Sequence, residues 1–204
     1  MILKNKNIKA NHEYSGIHSK KRLKNFWNMS IRWIREQQKS GSVCSRSFQF
    51  DADITESIAC YFLIDKYSNI KFTRDKSKNQ DKRGKGDKPI SYDIIQFQEG
   101  TQVLWEIKSS FSNDDFTPNS FSPYNGPEKY LFLEGEMDGK YPTGIINTYY
   151  FTHDVLPNII CNKEKNETFA KQQEDQRRPR FSIRKELINK GKTQFLGQID
   201  IRSW

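Results

Sequence analysis

At 204 residues, with fourteen Phe and nine Tyr, the chain is long enough to bury a core without disulfide or metal staples. No stretch approaches the roughly 18 apolar residues of a membrane helix, and Met1–Ala10 lacks the apolar segment of a secretory signal, so a cytoplasmic protein away from membranes is expected. The net charge of +9 sits entirely in residues 1–47, where eleven Lys/Arg face only Glu13 and Glu36. A neutral body with a cationic segment suits a polyanion, nucleic acid first, because neutralised phosphates release counterions; a solvated charged face is the alternative.

The pattern divides the chain into a basic N-terminal arm with an amphipathic helix, residues 1–47, and a core with a C-terminal extension, residues 48–204. Residues 1–18 are polar and without periodicity, and their removal is expected to weaken nucleic-acid binding and flatten its salt dependence. From Lys20 to Lys39, Leu23, Phe26, Trp27, Ser30, Ile31 and Ile34 recur at helical spacing. Lys20, Lys21, Arg22 and Lys24 mark this helix as a candidate DNA contact; a subunit contact and an ordinary amphipathic surface helix are the alternatives. A second helix runs from about Asp53 to Tyr67. Either Asp51 or Asp53 can cap it, and Glu56, three residues after Asp53, fits a capping box.

Asn69–Thr73 reads as a short strand. Arg74–Lys88 has no apolar residue and reads as a loop; Lys82, Arg83, Lys85 and Lys88 within it are candidate phosphate contacts, with a merely solvated loop as the alternative. Ser91–Gln98 and Gln102–Lys108 are strand-like and flank Glu99-Gly100-Thr101, which predicts a hairpin. Residues 109–127, with Pro118, Pro123 and Pro127, form a long loop. Tyr130–Leu133 is too short to assign. Ile145–Thr152 reads as a strand, Asn162–Arg178 as a polar helix or an excursion, Ser182–Asn189 as a short helix and Gln194–Ile201 as a closing strand. The expected class is α/β, with a central mixed sheet flanked by helices.

Chemistry concentrates in the hairpin. Glu106 and Lys108 are two apart and share one strand face, while Trp105 and Ile107 point into the core. Closing the hairpin near Gly100 brings Asp93 opposite Glu106. Two neighbouring carboxylates repel unless a cation joins them, and oxygen ligands suit Mg²⁺, with Mn²⁺ as a substitute. A bound metal activates water and offsets charge on a phosphate, and Lys108 can orient that water. This is a minimal set for phosphodiester hydrolysis. The alternative for Glu106 and Lys108 is an edge-strand ion pair. A second acid-x-Lys triplet, Asp138-Gly139-Lys140, lies in a Gly-bearing turn and reads as a loop.

The order of helix 53–67, strand 69–73, Asp93 on the next strand and Glu106-Ile107-Lys108 on the one after resembles the PD-(D/E)xK nuclease superfamily, whose familiar small members are type II restriction endonucleases. The likeness spans residues 50–110. It implies a restriction endonuclease-like core and Mg²⁺-dependent cleavage of double-stranded DNA. It further implies that Asp93, Glu106 and the Ile107 backbone carbonyl ligate metal, that Glu56 is a further acid at the site, and that Lys108 serves the nucleophilic water. Tyr92 stands where the pattern has Pro. Asp87 competes as first acid, but it falls in the charged loop and Asp93 is preferred.

Ser109 and Ser110 follow Lys108 as candidate phosphate donors, and Arg177 and Arg178, with Arg180, form a second basic cluster. His12, His18 and His153 do not cluster, and read as surface or packing residues. Cys44, Cys60 and Cys161 form no CxxC pair and read as reduced thiols. Cleavage of both strands at a palindrome favours a homodimer. A structure-specific repair, recombination or phage nuclease, and a non-catalytic nucleic-acid-binding protein, are the competing functions.

Overall fold

The computed structural model describes residues 17–39, 52–74, 80–81, 90–111, 119–121, 126–139, 141–157, 159 and 180–204. Helix α1 spans Lys20–Lys39 and α2 Ala52–Lys66. The strands are β1 (Lys71–Thr73), β2 (Gln80–Asp81), β3 (Ile90–Ser91), β4 (Ile94–Gln98), β5 (Thr101–Ser110), β6 (Asn119–Ser120), β7 (Lys129–Asp138), β8 (Tyr141–Thr152), β9 (Arg180–Phe181) and β10 (Gln194–Asp200). Six of them form one sheet in the order β1-β4-β5-β7-β8-β10. Every pairing in it is antiparallel except β5 with β7, so the sheet is mixed, as expected of an α/β core.

The β4–β5 hairpin closes on two residues with positive φ, Glu99 at 49° and Gly100 at 79°. That is the pattern of a type I′ turn, whose twist matches that of the flanking strands. It fixes Ile94 opposite Trp105 and Gln98 opposite Thr101. Alternation then sorts β5 by face. Trp105 and Ile107 enter a core with Leu23 and Trp27 of α1, Ile58 and Leu63 of α2, and Leu131, Ile146 and Ile199 of the sheet. The opposite face of the sheet carries a second cluster, in which Tyr130, Phe132 and Phe151 are covered by Phe121, Phe181, Ile183 and Leu187.

Several expectations change. The run 91–98 is broken: β3 pairs with β2, Asp93 lies between strands, and β4 starts at Ile94. The stretch 74–88 is not all loop, since it holds β2, and its first residue, Arg74, is buried. Tyr130–Leu133 belongs to a ten-residue strand, β7. The 182–189 helix is a π-helical turn, Arg184–Ile188. The Asp138-Gly139 turn is borne out as the link between β7 and β8, with Gly139 at φ 58°. Asn162–Arg178, Cys44, Cys161, His12 and most of residues 1–18 lie outside the described residues.

At the start of β7, Glu128 Oε2 accepts the Leu104 N–H at 2.8 Å. Pairing of β5 with β7 begins one residue later, at Trp105 and Lys129. A carboxylate thus satisfies a backbone donor just before the ladder begins, as buried N–H groups require.

Candidate active site

Asp93, Glu106 and Lys108 converge where β4 begins. The Asp93 N–H donates to the Trp105 carbonyl at 2.8 Å. Its Oδ2 reaches further along β5 and accepts the Ile107 N–H at 2.7 Å. The carboxylate takes a donor that a neighbouring strand carbonyl would otherwise satisfy. This explains why the ladder breaks here and why Asp93 stays fixed beside β5.

Glu106 and Lys108 share the half-buried face of β5, and Lys108 Nζ donates to Glu106 Oε1 at 2.5 Å. Their side chains are only 14% and 15% exposed, and the Lys108 ammonium lies 5.7 Å from the centre of the Phe121 ring. The edge-strand alternative does not hold, because β5 is flanked by β4 and β7. An ion pair this withdrawn, in an interior strand, gains little net stability over apolar side chains, so stability alone does not account for it.

Burial pushes the Asp93 carboxyl up to about 7, with the Glu106 carboxylate as the next cause; the Ile107 N–H bond opposes the rise, the Glu56 charge adds to it and Lys108 counters it. In the metal-free protein Asp93 therefore binds a proton more tightly than it does unfolded. Its contribution to stability is full below about pH 4 and is lost as pH rises through about 7. Melting curves in chelator from pH 5 to 8 should show wild type losing stability relative to Asp93→Asn. Parallel curves for the two proteins would contradict this.

Glu56 and Asp53 are not the capping box of α2. Both lie inside the helix, and both carboxylates engage Arg74. Arg74 Nε donates to Glu56 Oε2 at 2.5 Å and Nη2 to Asp53 Oδ1 at 2.7 Å. Arg74 is 3% exposed and Glu56 7%. Sequence reasoning missed Arg74, which opens a run of charged and polar residues; its only signal was the pair of acids one helical turn apart. Among the described residues no three Asp, Glu, His or Cys side chains form a ligand cluster. The site is thus a carboxylate pair, Asp93 and Glu106, with Glu56 near enough for its charge to be felt. A pair of carboxylates completed by waters and phosphate oxygens is how Mg²⁺ is commonly held, and the repulsion from Glu106 that adds to burial in lifting Asp93 is what a divalent cation relieves.

The basic candidates divide. Lys20 is engaged within the fold: its ammonium bonds Asp65 Oδ2 at 2.8 Å and lies 5.2 Å from the Tyr61 and Trp204 rings. Lys21 and Arg22 are exposed, Arg22 over the Phe26 ring, and Lys24 is half-buried. Ser110 is buried on the Lys108 face and Ser109 lies on the other. Lys82, Arg83, Lys85, Asp87, Lys88, Arg177 and Arg178 lie outside the described residues. His18 packs edge-on against Phe26. His153 meets the Tyr130 hydroxyl through Nδ1 at 3.0 Å, and burial lowers its pKa. Cys60 is buried, its thiol pushed up to about 12 by desolvation.

A family model described as Bsp6I restriction endonuclease matches residues 18–190, a span that includes Glu56, Asp93, Glu106 and Lys108. No curated protein and no solved structure matches the chain.

Proposed function

The chain belongs to the Bsp6I restriction endonuclease family, and from that premise we propose that it is a type II restriction enzyme hydrolysing phosphodiester bonds of double-stranded DNA with a divalent metal ion. The observation that carries the reading is the convergence of Asp93 and Glu106 with Lys108 in an interior strand. We assign the core to the PD-(D/E)xK superfamily on the same residues.

Asp93 and Glu106 would hold Mg²⁺ or Mn²⁺, with the Ile107 carbonyl as a further oxygen. Such an ion, when bound, supplies an acidified water and offsets negative charge on the phosphate. Lys108 Nζ is held against Glu106 Oε1. There it orients the attacking water and steadies charge that develops on phosphate. Asp93 is held in place by the Ile107 N–H, so its oxygens need little reordering. Exposed Lys21 and Arg22 are proposed to contact phosphates, which positions DNA without reading its sequence. Two copies of the chain, one per strand, would complete a double-strand cut. Among the described residues no helix is long and apolar enough to cross a membrane.

Plasmid DNA incubated with Mg²⁺ tests the reading. Discrete bands support a restriction enzyme. Cutting confined to branched substrates would make it a structure-specific nuclease, and binding without cutting would make it a nucleic-acid-binding protein.

A further inference from the structure

The site region holds more acid than two metal ligands require. Among the described residues, Asp53 and Glu56 bond Arg74, Glu106 bonds Lys108, and the Glu56 charge reaches Asp93. Lys108 is taken by Glu106, and Arg74 by Glu56 and Asp53. Arg74 follows β1, whose Thr73 pairs with Ile95, so it stands beside the start of β4, next to Asp93. A guanidinium cannot lose its proton in a protein, and this one is buried. Removing a partner from a buried ion pair is far more costly than removing one at the surface. Asp53, with its side chain 44% exposed, is the weaker of these two partners.

We propose that Arg74 sets the metal stoichiometry of the site: by gripping Glu56 and Asp53 it keeps both carboxylates out of metal coordination and leaves Asp93 and Glu106 to take a single divalent ion. This rests on the reading of Asp93 and Glu106 as metal ligands. Both carboxylates bond the guanidinium directly. Glu56 then acts on Asp93 through its field and not through a shared ion. Arg74 is a positioning residue in this account, and it touches neither substrate nor metal.

The test uses the full chain without DNA, so it does not depend on cleavage. Free Mn²⁺ is measured by electron paramagnetic resonance during titration, and water molecules on bound Eu³⁺ are counted from luminescence lifetimes in H₂O and D₂O. Wild type should bind about one Mn²⁺ per chain, and Asp93→Asn should weaken that binding by about tenfold or more. Glu56→Gln should leave the Eu³⁺ water count unchanged, whereas Asp93→Asn should raise it by about one. Arg74→Met should take up a second Mn²⁺ per chain. A Glu56→Gln protein that gains a water as Asp93→Asn does would overturn the inference while leaving the carboxylate pair standing. So would Arg74→Met held at one Mn²⁺. If Arg74→Met fails to fold, the water count of Glu56→Gln decides alone. Should wild type and Asp93→Asn bind Mn²⁺ alike, the metal reading of the pair falls and the inference with it.

Discussion

Asp93→Ala, Glu106→Ala and Lys108→Ala are each expected to lose at least about a hundredfold in DNA cleavage, and their stabilities should separate in a set order. The order follows from the electrostatics of the metal-free site. Asp93 is a strained anion near neutral pH, lifted by burial and by Glu106, so Asp93→Ala should melt at or above wild type at pH 8 in chelator. Lys108→Ala leaves Glu106 without its 2.5 Å partner in an interior strand and should melt lower. Metal-free DNA binding should follow the same charges. Loss of Asp93 or Glu106 relieves repulsion of phosphate, and loss of Lys108 removes an attraction. Asp138→Ala and Lys140→Ala, in the other acid-x-Lys triplet, should stay active. If Glu106 and Lys108 were only a structural pair, cleavage would fall no further than the folded fraction does.

Chelation is the second large effect. Cleavage should vanish in EDTA and return when Mg²⁺ or Mn²⁺ is added in excess. The metal-free site has no ready base: Asp93 holds its proton up to about pH 7, and Glu106 is closed on the Lys108 ammonium. Raising the pH to 8.5 in EDTA ionises Asp93 but supplies no positive charge for the phosphate, so it should not restore cutting. Full activity in rigorously metal-free buffer would refute the metal requirement.

Features set by local pattern were legible in the sequence. Helix α1 runs over Lys20–Lys39, the span marked out by its apolar periodicity. The hairpin follows from Glu99-Gly100 between two β-rich runs, and once it closes, alternation alone puts Glu106 and Lys108 on one face. Features that depend on distant partners were not legible. Arg74 opens a stretch whose composition is that of a solvated loop, yet it is buried by acids 18 and 21 residues earlier in the chain. Those acids in turn imitate a helix cap, because a capping box and a grip on one guanidinium both place side chains about a turn apart. The break at Asp93 comes from its carboxylate competing for the Ile107 N–H, which propensity does not register. The parallel pairing of β5 with β7 joins strands separated by a Pro- and Ser-rich stretch of sequence, with no alternation in it to announce the pairing. Phe121 and Phe181 stack at 4.4 Å over the second face, although each sits in a polar neighbourhood of the sequence.

The most direct test is to digest a long DNA with the protein and Mg²⁺, sequence every end, and run Glu106→Ala beside it at matched folded concentration. Wild-type ends should share one recurrent sequence, and Glu106→Ala, melting as a folded protein, should yield none. A Glu106→Ala protein that cuts at the same sites as wild type would contradict this.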